Sequence, residues 1–227
     1  MTYGLILAAG FGSRLGYDLP KALIEWNGRR IIDHQLENLA AAGIEEVWVV
    51  LGFQSERVRT HVVGSWPKVR FVENPMYMDT NTAKSMLIGL RDIPPGDVVA
   101  LNGDVVFDAA ILDLLLEVPD RTRLAVDPRI CGDEEIKYRV REGRLQALSK
   151  QVHGEGEAVG INQFAADDRE LLEGALSYVE MQAYFERAVE HMLPFTTHPI
   201  ECVEIGDLRA MEIDFPEDLE AAHELFA

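Results

Sequence analysis

The chain has 227 residues, and its 21 Lys and Arg residues against 39 Asp and Glu residues give a formal net charge of −18 at pH 7. This charge argues against a duplex nucleic-acid binder, which needs cationic side chains to displace counterions from phosphates. It also argues against binding to anionic membrane surfaces. With 48% apolar and 26% charged residues, the chain can bury a full core, so we expect one large α/β domain.

The first residues and the cysteines indicate a cellular location. The chain starts MTYGLILAAG, without a cationic segment before the apolar run, which predicts a buried strand and no signal peptide. No apolar run approaches the ~18 residues that a membrane-spanning helix needs. Cys131 and Cys202 lie far apart, so we expect reduced thiols in a cytoplasmic protein.

Short apolar runs alternate with helical patterns through the first half of the chain. Buried strands are predicted at residues 5–9, 47–51, 69–72 and 98–101, and helices at 31–42, 55–63, 82–90 and 108–116. The strands are apolar almost throughout, which is typical of a parallel sheet covered on both faces. Such alternation favours right-handed crossovers and a doubly wound, Rossmann-like sheet.

The second half has a different pattern. Short strands at 124–127, 136–141, 145–149 and 158–164, separated by tight turns, are expected to add antiparallel strands to the mostly parallel sheet. Helices are predicted at 167–176, 179–192 and 216–226, and a further strand at 200–205. No repeat, low-complexity tract or linker interrupts the chain, so residues 1–227 are predicted to form a single domain.

A glycine-rich loop follows the first predicted strand, where residues 7–15 read Leu-Ala-Ala-Gly-Phe-Gly-Ser-Arg-Leu. Such a loop lets backbone N–H groups approach an anion closely. The Walker A pattern is absent, and Leu15 takes the place of the third glycine of the dinucleotide fingerprint. Arg14 and Lys21 instead supply cations, which suits a triphosphate that loses pyrophosphate. A solvated glycine-rich turn without any function remains an alternative.

This loop, followed by Pro20, Lys21 and Gly28, resembles the nucleotidyltransferases that activate sugar-1-phosphates and related phosphorylated small molecules. Further resemblances follow in order along nearly the whole chain. The resemblance implies a nucleotide-binding half (1–117) and an acceptor-binding half (118–227). It also assigns catalytic cations and nucleotide-binding residues: Arg14, Lys21 and Lys150 as cations, and Leu7, Ala8, Ala9, Gly10, Gly12, Asn81, Ser85 and Gly103 at the nucleotide.

Two aspartates are candidate metal ligands. Asp104 follows the strand at 98–101, at the carboxyl edge where open α/β sheets bind ligands. Asp214 lies at the last strand–helix junction. In the family that this chain resembles, the corresponding aspartates jointly hold Mg²⁺, the expected cofactor, with substrate phosphates completing the shell. The alternatives are a turn aspartate at 104 and a helix N-cap at 214, and Glu212 is an alternative ligand.

The nucleotide preference rests on residues 74–86, Asn-Pro-Met-Tyr-Met-Asp-Thr-Asn-Thr-Ala-Lys-Ser-Met. This segment resembles that of cytidylyltransferases acting on phosphocholine and 2-aminoethylphosphonate. The resemblance implies that Asn81 and Ser85 lie near the cytosine, although Asn81 also fits a helix N-cap. Ala158 replaces an aromatic residue of the family's pattern, and Lys84 has no assigned role.

In the subfamily that this chain resembles, the region of residues 178–184 carries an aromatic and acidic motif, and carboxylates and aromatic faces would hold an ammonium group on the acceptor. Candidates are Asp127, Glu157, Glu180, Tyr178 and Tyr184, the last three on the helix predicted at 179–192 or at its start. The alternative is that these tyrosines pack between helices and that the acids are surface charges. Val179 stands where relatives often have a second aromatic residue, so a smaller or differently shaped head group, including a hydroxyalkyl phosphonate, is an alternative.

These patterns predict a cytidylyltransferase that transfers CMP from CTP to a small phosphate or phosphonate, such as phosphocholine or 2-aminoethylphosphonate. The products are pyrophosphate and a CDP-linked compound, and the enzyme is expected to be a monomer or homodimer. A sugar-1-phosphate nucleotidyltransferase using UTP or GTP is the alternative within the fold. An NAD-dependent oxidoreductase and a non-catalytic nucleotide-binding regulator are the alternatives of other classes.

Overall fold

A nine-stranded sheet lies at the centre of the computed structural model, which describes residues 1–12, 18–129, 132 and 135–227. The strand order is β10-β9-β11-β6-β1-β4-β5, with β8 paired to β11 and β12 paired to β8. The strands are β1 Thr2–Ala8, β4 Val47–Leu51, β5 Arg70–Glu73, β6 Asp97–Asn102, β8 Arg123–Asp127, β9 Lys137–Arg141, β10 Arg144–Ser149, β11 Gly156–Phe164 and β12 Glu201–Glu204.

The parallel and antiparallel strands are separated along the chain. Strands β6, β1, β4 and β5 are parallel to one another, whereas β11 runs antiparallel to β6, β8 and β9. The start of β11 therefore lies at the same edge of the sheet as the carboxyl ends of the parallel strands. The predicted fold class, a mostly parallel doubly wound sheet with added antiparallel strands, is confirmed.

Helices cover both faces of the sheet. The helices are α1 Ile31–Ala41, α2 Ser55–Ser65, α3 Thr82–Asp92, α4 Ala110–Leu116, α5 Arg169–Tyr178, α6 Phe185–Met192 and α7 Pro216–Leu225. Side chains from β1 alternate between the two layers: Leu5 and Leu7 pack with α3, α5 and α6, whereas Ile6 and Ala8 pack with α1, α2 and α4. This alternation explains why the central strands are apolar at every position.

Two small antiparallel pairs stand apart from the main sheet and were not predicted. Strands β2 Glu25–Trp26 and β3 Arg29–Arg30 form a hairpin before α1. Strand β7 Val105–Phe107 pairs with β13 Ala210–Glu212. This second pair joins the end of β6 to the segment that precedes α7, although the two are about a hundred residues apart in the sequence.

The helix predicted at 179–192 is wrong over its first turn and a half. Helix α5 ends at Tyr178, residues 179–184 are not helical, and α6 begins at Phe185 after Tyr184 in an extended conformation. No helix in the described part of the chain is long and apolar enough to cross a membrane. Cys202 is partly buried, and burial raises the pKa of its thiol to about 12, while Cys131 lies outside the described residues.

Candidate active site

A cavity of about 590 Å³ opens at the carboxyl edge of the parallel strands. Most of the residues that the sequence analysis assigned to the site line this cavity: Leu7, Ala8, Ala9, Gly10, Gly12, Lys21, Asn81, Ser85, Gly103, Asp104, Lys150, Glu157, Tyr184 and Asp214. Asp127, Tyr178 and Glu180 do not line it, and Arg14 lies outside the described residues. The structure therefore brings together residues from nearly the whole length of the chain.

Lys21 links the two candidate metal ligands. Its Nζ donates a hydrogen bond of 2.7 Å to Oδ2 of Asp104 and a second one to Oδ1 of Asp214. Burial by itself lowers the pKa of Lys21, but the two carboxylates outweigh burial, so the pKa is raised overall. The ammonium group is therefore charged at any physiological pH, and both carboxylates point at one position.

The glycine-rich loop packs directly on the Lys21 side chain. Gly12 has a φ of +61°, and a Cβ at this position would lie 2.7 Å from Cγ of Lys21. A larger residue would therefore be strained and would also displace the lysine. Gly103 has a comparable constraint, because its Cβ would lie 2.6 Å from the carbonyl oxygen of Leu7. These two glycines allow the loop, the lysine and the end of β6 to lie close together.

The pairing of β7 with β13 positions both aspartates. Asp104 immediately precedes β7, and its carbonyl oxygen accepts a hydrogen bond of 3.0 Å from the N–H of Ile213. Asp214 follows directly, before α7. The carboxylate of Asp218 accepts hydrogen bonds from the N–H groups of Asp214 and Phe215 at 2.8 and 2.7 Å. Asp218 thus caps α7, so the alternative that made Asp214 the N-cap is wrong.

Glu212 lies beside this pair. Its Oε1 accepts a hydrogen bond of 2.7 Å from Asn102. Glu212 is exposed to the cavity, and the protein around its carboxyl group and the charge of Asp104 raise its pKa. Glu212 stays an alternative ligand beside the two aspartates.

The two aspartates fit a hard divalent cation. Their oxygens already converge on a single cationic group, and carboxylate oxygens are the ligands that Mg²⁺ prefers. In the described ranges no group of three or more His, Cys, Asp or Glu side chains is arranged to hold a metal ion. A metal at Asp104 and Asp214 would therefore depend on substrate phosphates and water for its remaining ligands, as the sequence analysis expects.

The start of α3 forms another wall of the cavity. Asn81 is the N-cap of α3, where its side chain accepts a hydrogen bond of 2.8 Å from the N–H of Thr82. Ser85 lies one turn further on, and its Oγ accepts a hydrogen bond of 3.0 Å from Asn74. Asn74 is buried and also donates to Thr80. The N-cap expected at Asn81 is confirmed, and Asn74 is an additional supporting residue that the sequence analysis did not single out.

Carboxylates also cluster around Glu157, which lines the cavity. Burial and the nearby charges of Glu135 and Asp127 raise the pKa of Glu157 to about 7. Glu135 also lines the cavity, and its Oε2 is buried without a hydrogen-bond partner in the described part of the chain. Asp127 instead accepts hydrogen bonds of 2.7 to 2.9 Å from Arg129. The sequence analysis did not assign Glu135 to the site.

Lys150 and the start of α6 also line the cavity. The Nζ of Lys150 is 4.7 Å from the ring centre of Tyr184. Glu186, which the sequence analysis also missed, lines the cavity with only 4% of its surface exposed. Burial raises its pKa to about 7, although the charge of Lys150 acts in the opposite direction. Tyr178 is 79% exposed, and Glu180 is also exposed.

Lys84 has a structural role. Its Nζ donates hydrogen bonds of 2.7 Å to the carbonyl oxygens of Leu176 and Val179, so it caps the C-terminus of α5. Arg169, in the first turn of α5, donates to the carbonyl oxygens of Ile93 and Pro94 beyond the end of α3. Each of these two packed helices therefore caps the other.

A doubly wound sheet with a glycine-rich loop and two carboxylates at its carboxyl edge defines a nucleotide-binding α/β enzyme class. Within that class, residues 4–160 match the model of the MobA-like NTP transferase domain, and the chain belongs to this family. The prediction of a nucleotidyltransferase is thereby confirmed.

The chain is also similar to individual proteins whose activity is named. The chain is 32% identical, over 94% of its length, to the CMP-5'-(3-aminopropyl)phosphonate synthase of Streptomyces rubellomurinus, of which it spans only 37%. It is 26% identical, over 95% of its length, to the CTP:phosphoglutamine cytidylyltransferase of Campylobacter jejuni, of which it spans 97%. The inositol-1-phosphate CTP transferase of T. maritima shares the fold, with a TM-score of 0.86, 20% identity and coverage of 99% of this chain and 94% of that one.

Proposed function

We propose that the protein is a cytidylyltransferase that transfers CMP from CTP to a small phosphonate or phosphate carrying an ammonium group. One observation carries the proposal: Lys21, Asp104 and Asp214 converge on one point of a cavity bordered by the glycine-rich loop. Two relatives that this chain matches over nearly its whole length are named as a CMP-phosphonate synthase and a CTP-dependent cytidylyltransferase.

The reaction is a displacement at the α-phosphorus of CTP. An oxygen of the acceptor phosphonate attacks in line, the bond to the bridging oxygen breaks, and pyrophosphate leaves with that electron pair. The product is a CDP-linked compound or, where the acceptor is a phosphonate, a CMP–phosphonate joined through a P–O–P anhydride bond. The chemistry needs positioning and charge neutralisation and forms no covalent enzyme intermediate.

The cationic side chains provide much of that neutralisation. Lys21 and Arg14 would contact the triphosphate at the glycine-rich loop, and Lys150 would contact the reacting phosphates. Mg²⁺ held by Asp104 and Asp214 would draw the nucleotide and acceptor phosphates together by reducing their repulsion. At the start of α3, Asn81 and Ser85 would contact the cytosine, since their side chains line the cavity.

Glu157 and Glu135 would hold the acceptor's ammonium group. The two carboxylates line the cavity and repel each other, so a cation between them would relieve the repulsion. Arg129 lies close enough to lower the pKa of Glu157, but its guanidinium group is bonded to Asp127. An acceptor with a phosphonate at one end and an ammonium group at the other matches the charges of the cavity.

A matrix of substrates tests the proposal. The protein is incubated with Mg²⁺, with each of CTP, UTP, GTP and ATP, and with a panel of acceptors: 3-aminopropylphosphonate, 2-aminoethylphosphonate, phosphocholine, inositol-1-phosphate and glucose-1-phosphate. Released pyrophosphate and the mass of the product are measured. We expect CTP with an amine-bearing acceptor to give the highest kcat/KM. A preference for UTP or GTP with glucose-1-phosphate would instead establish the sugar-nucleotide alternative.

A further inference from the structure

The first residues of α6 contact both the nucleotide side of the cavity and Lys150. Phe185, the first residue of the helix, is buried, and its N–H donates a hydrogen bond of 3.0 Å to Oγ1 of Thr82. The N–H of Ala83 donates to the carbonyl oxygen of Ala183 at 3.2 Å. The start of α6 is therefore fixed to the start of α3, where the proposed cytosine contacts lie.

Two side chains project from this fixed position into the cavity. Tyr184, the N-cap residue of α6, places its ring face 4.7 Å from the ammonium group of Lys150, within the range of an attractive cation–π contact. Glu186, the second residue of the helix, is 4% exposed. Its carboxylate interacts favourably with the charge of Lys150 and with its own backbone N–H.

The contact changes the role of Tyr184. Its ring face is directed at a cation of the protein itself, so this face is not open to the ammonium group of an acceptor. Glu157 belongs to a separate group of charges, since those that act on it are Glu135, Asp127 and Arg129. We therefore group Tyr184 and Glu186 with Lys150 and not with the residues that would bind the acceptor's amine.

We propose that Tyr184 and Glu186 are positioning residues that hold the ammonium group of Lys150 at the reacting phosphates. The role of Lys150 itself rests on the proposed function. Because α6 is bonded to the start of α3, the position of Lys150 is tied to the segment that would contact the cytosine. A bound nucleotide and an aligned lysine then share one rigid support.

A double-mutant cycle tests the proposal. The variants are Tyr184→Leu, Tyr184→Phe and Glu186→Gln, each in the wild-type and the Lys150→Met background, assayed with CTP and with 3-aminopropylphosphonate or 3-hydroxypropylphosphonate. We expect Tyr184→Leu and Glu186→Gln to lower kcat about tenfold and to leave the acceptor KM within about twofold. Tyr184→Phe should retain the activity. In the Lys150→Met background, each of the three substitutions should lower kcat by less than about twofold.

Phe195→Leu is the matched control, since Phe195 follows α6, is 72% exposed and does not line the cavity. It should change neither kcat nor KM, and the melting temperature of each variant reports folding. Losses that stay equally large in the Lys150→Met background would overturn the proposal. So would a rise in KM for the amine alone, which would place the acceptor's ammonium group on Tyr184 or Glu186. An inactive wild-type protein would count against the proposed function itself.

Discussion

The carboxylates of Asp104 and Asp214 share a cation of the protein, whereas Glu135 and Glu157, which line the same cavity, repel each other. The first pair is held together by hydrogen bonds from Lys21. At the second pair, the pKa of Glu157 is raised to about 7. The difference shows that one continuous cavity provides two electrostatic environments. One suits phosphates and a metal ion, and the other suits an ammonium group.

The largest expected loss of activity follows a substitution in the pair Asp104 and Asp214. Replacing Asp104 by Ala should lower kcat/KM for CTP by at least about a hundredfold, because it removes one of two convergent charged groups in the reacting centre. Turnover is measured by pyrophosphate release, and folding by circular dichroism. Asp113→Asn, an exposed aspartate on α4, is the control and should leave turnover unchanged. Near-normal turnover in Asp104→Ala would show that this aspartate takes no part in the reaction.

A substitution at Glu157 should change the binding of the acceptor more than the binding of the nucleotide. Replacing Glu157 by Gln should raise KM for 3-aminopropylphosphonate about tenfold, the cost of losing one charge-assisted contact, and leave KM for CTP unchanged. The 3-hydroxypropyl analogue is the control, because it shares the phosphonate but lacks the ammonium group. Equal losses for the two acceptors would show that Glu157 does not distinguish them.

The same carboxylate predicts a pH dependence. The pKa of Glu157 is about 7, so the carboxylate that would bind an ammonium group becomes protonated as the pH falls from 8 to 6. We expect KM for the amine to rise over this interval relative to KM for the hydroxyl analogue, whose phosphonate titrates alike. In the Glu157→Gln variant, the ratio of the two KM values should not change with pH. A constant ratio in the wild-type protein would contradict the assignment.

Stability should change with pH in the same window. Burial holds the pKa of Glu157 and Glu186 at about 7, above the value of about 4.5 expected in the unfolded chain. The folded protein thus binds more protons than the unfolded one between these values, so stability falls as the pH rises from 5 to 8. We expect the melting temperature to fall by several degrees and Glu186→Gln to reduce the slope. The exposed Glu220→Gln should leave the slope unchanged.

The smallest effect is expected outside the cavity. Lys84→Met removes the hydrogen bonds to the carbonyl oxygens of Leu176, Ser177 and Val179 at the end of α5 and should lower the free energy of unfolding by about 1–2 kcal/mol. Urea unfolding measures this loss, and kcat should stay within about twofold. Lys68→Met removes an exposed ion pair with Glu45 and should change the stability by less than about 0.5 kcal/mol. A large loss of turnover in Lys84→Met would give this lysine a part in the reaction.

The sequence predicts the phosphate-facing end of the cavity better than the acceptor end. The parallel strands follow from local apolar runs, and the loop at 7–12 carries its pattern in consecutive residues. Asp104 follows a strand that the sequence predicts, but Asp214 follows β13, which the sequence does not predict. The two aspartates were therefore paired only by the resemblance to the nucleotidyltransferases. The pairing of β7 with β13, which actually brings them together, joins segments of only three residues each and leaves no periodic signal.

The acceptor end depends on contacts between distant residues. Residues 179–184 have a helical pattern, yet Lys84 caps the carbonyl oxygens of Leu176 and Val179 and ends α5 at Tyr178. This break moves the start of the next helix to Phe185 and turns Glu186 into the cavity. A single acid in a helical segment usually indicates a solvated face, so no local pattern reveals that Glu186 is buried.

The bridge formed by Lys21 has a consequence for the order of binding. Asp104 and Asp214 carry two negative charges, and Lys21 compensates one of them. A metal ion that took the two oxygens now bonded to Lys21 would have to displace its ammonium group, so metal binding there would be an exchange. The displaced ammonium group would then be available to an incoming triphosphate. Metal and nucleotide should therefore each increase the affinity for the other, and by the same factor.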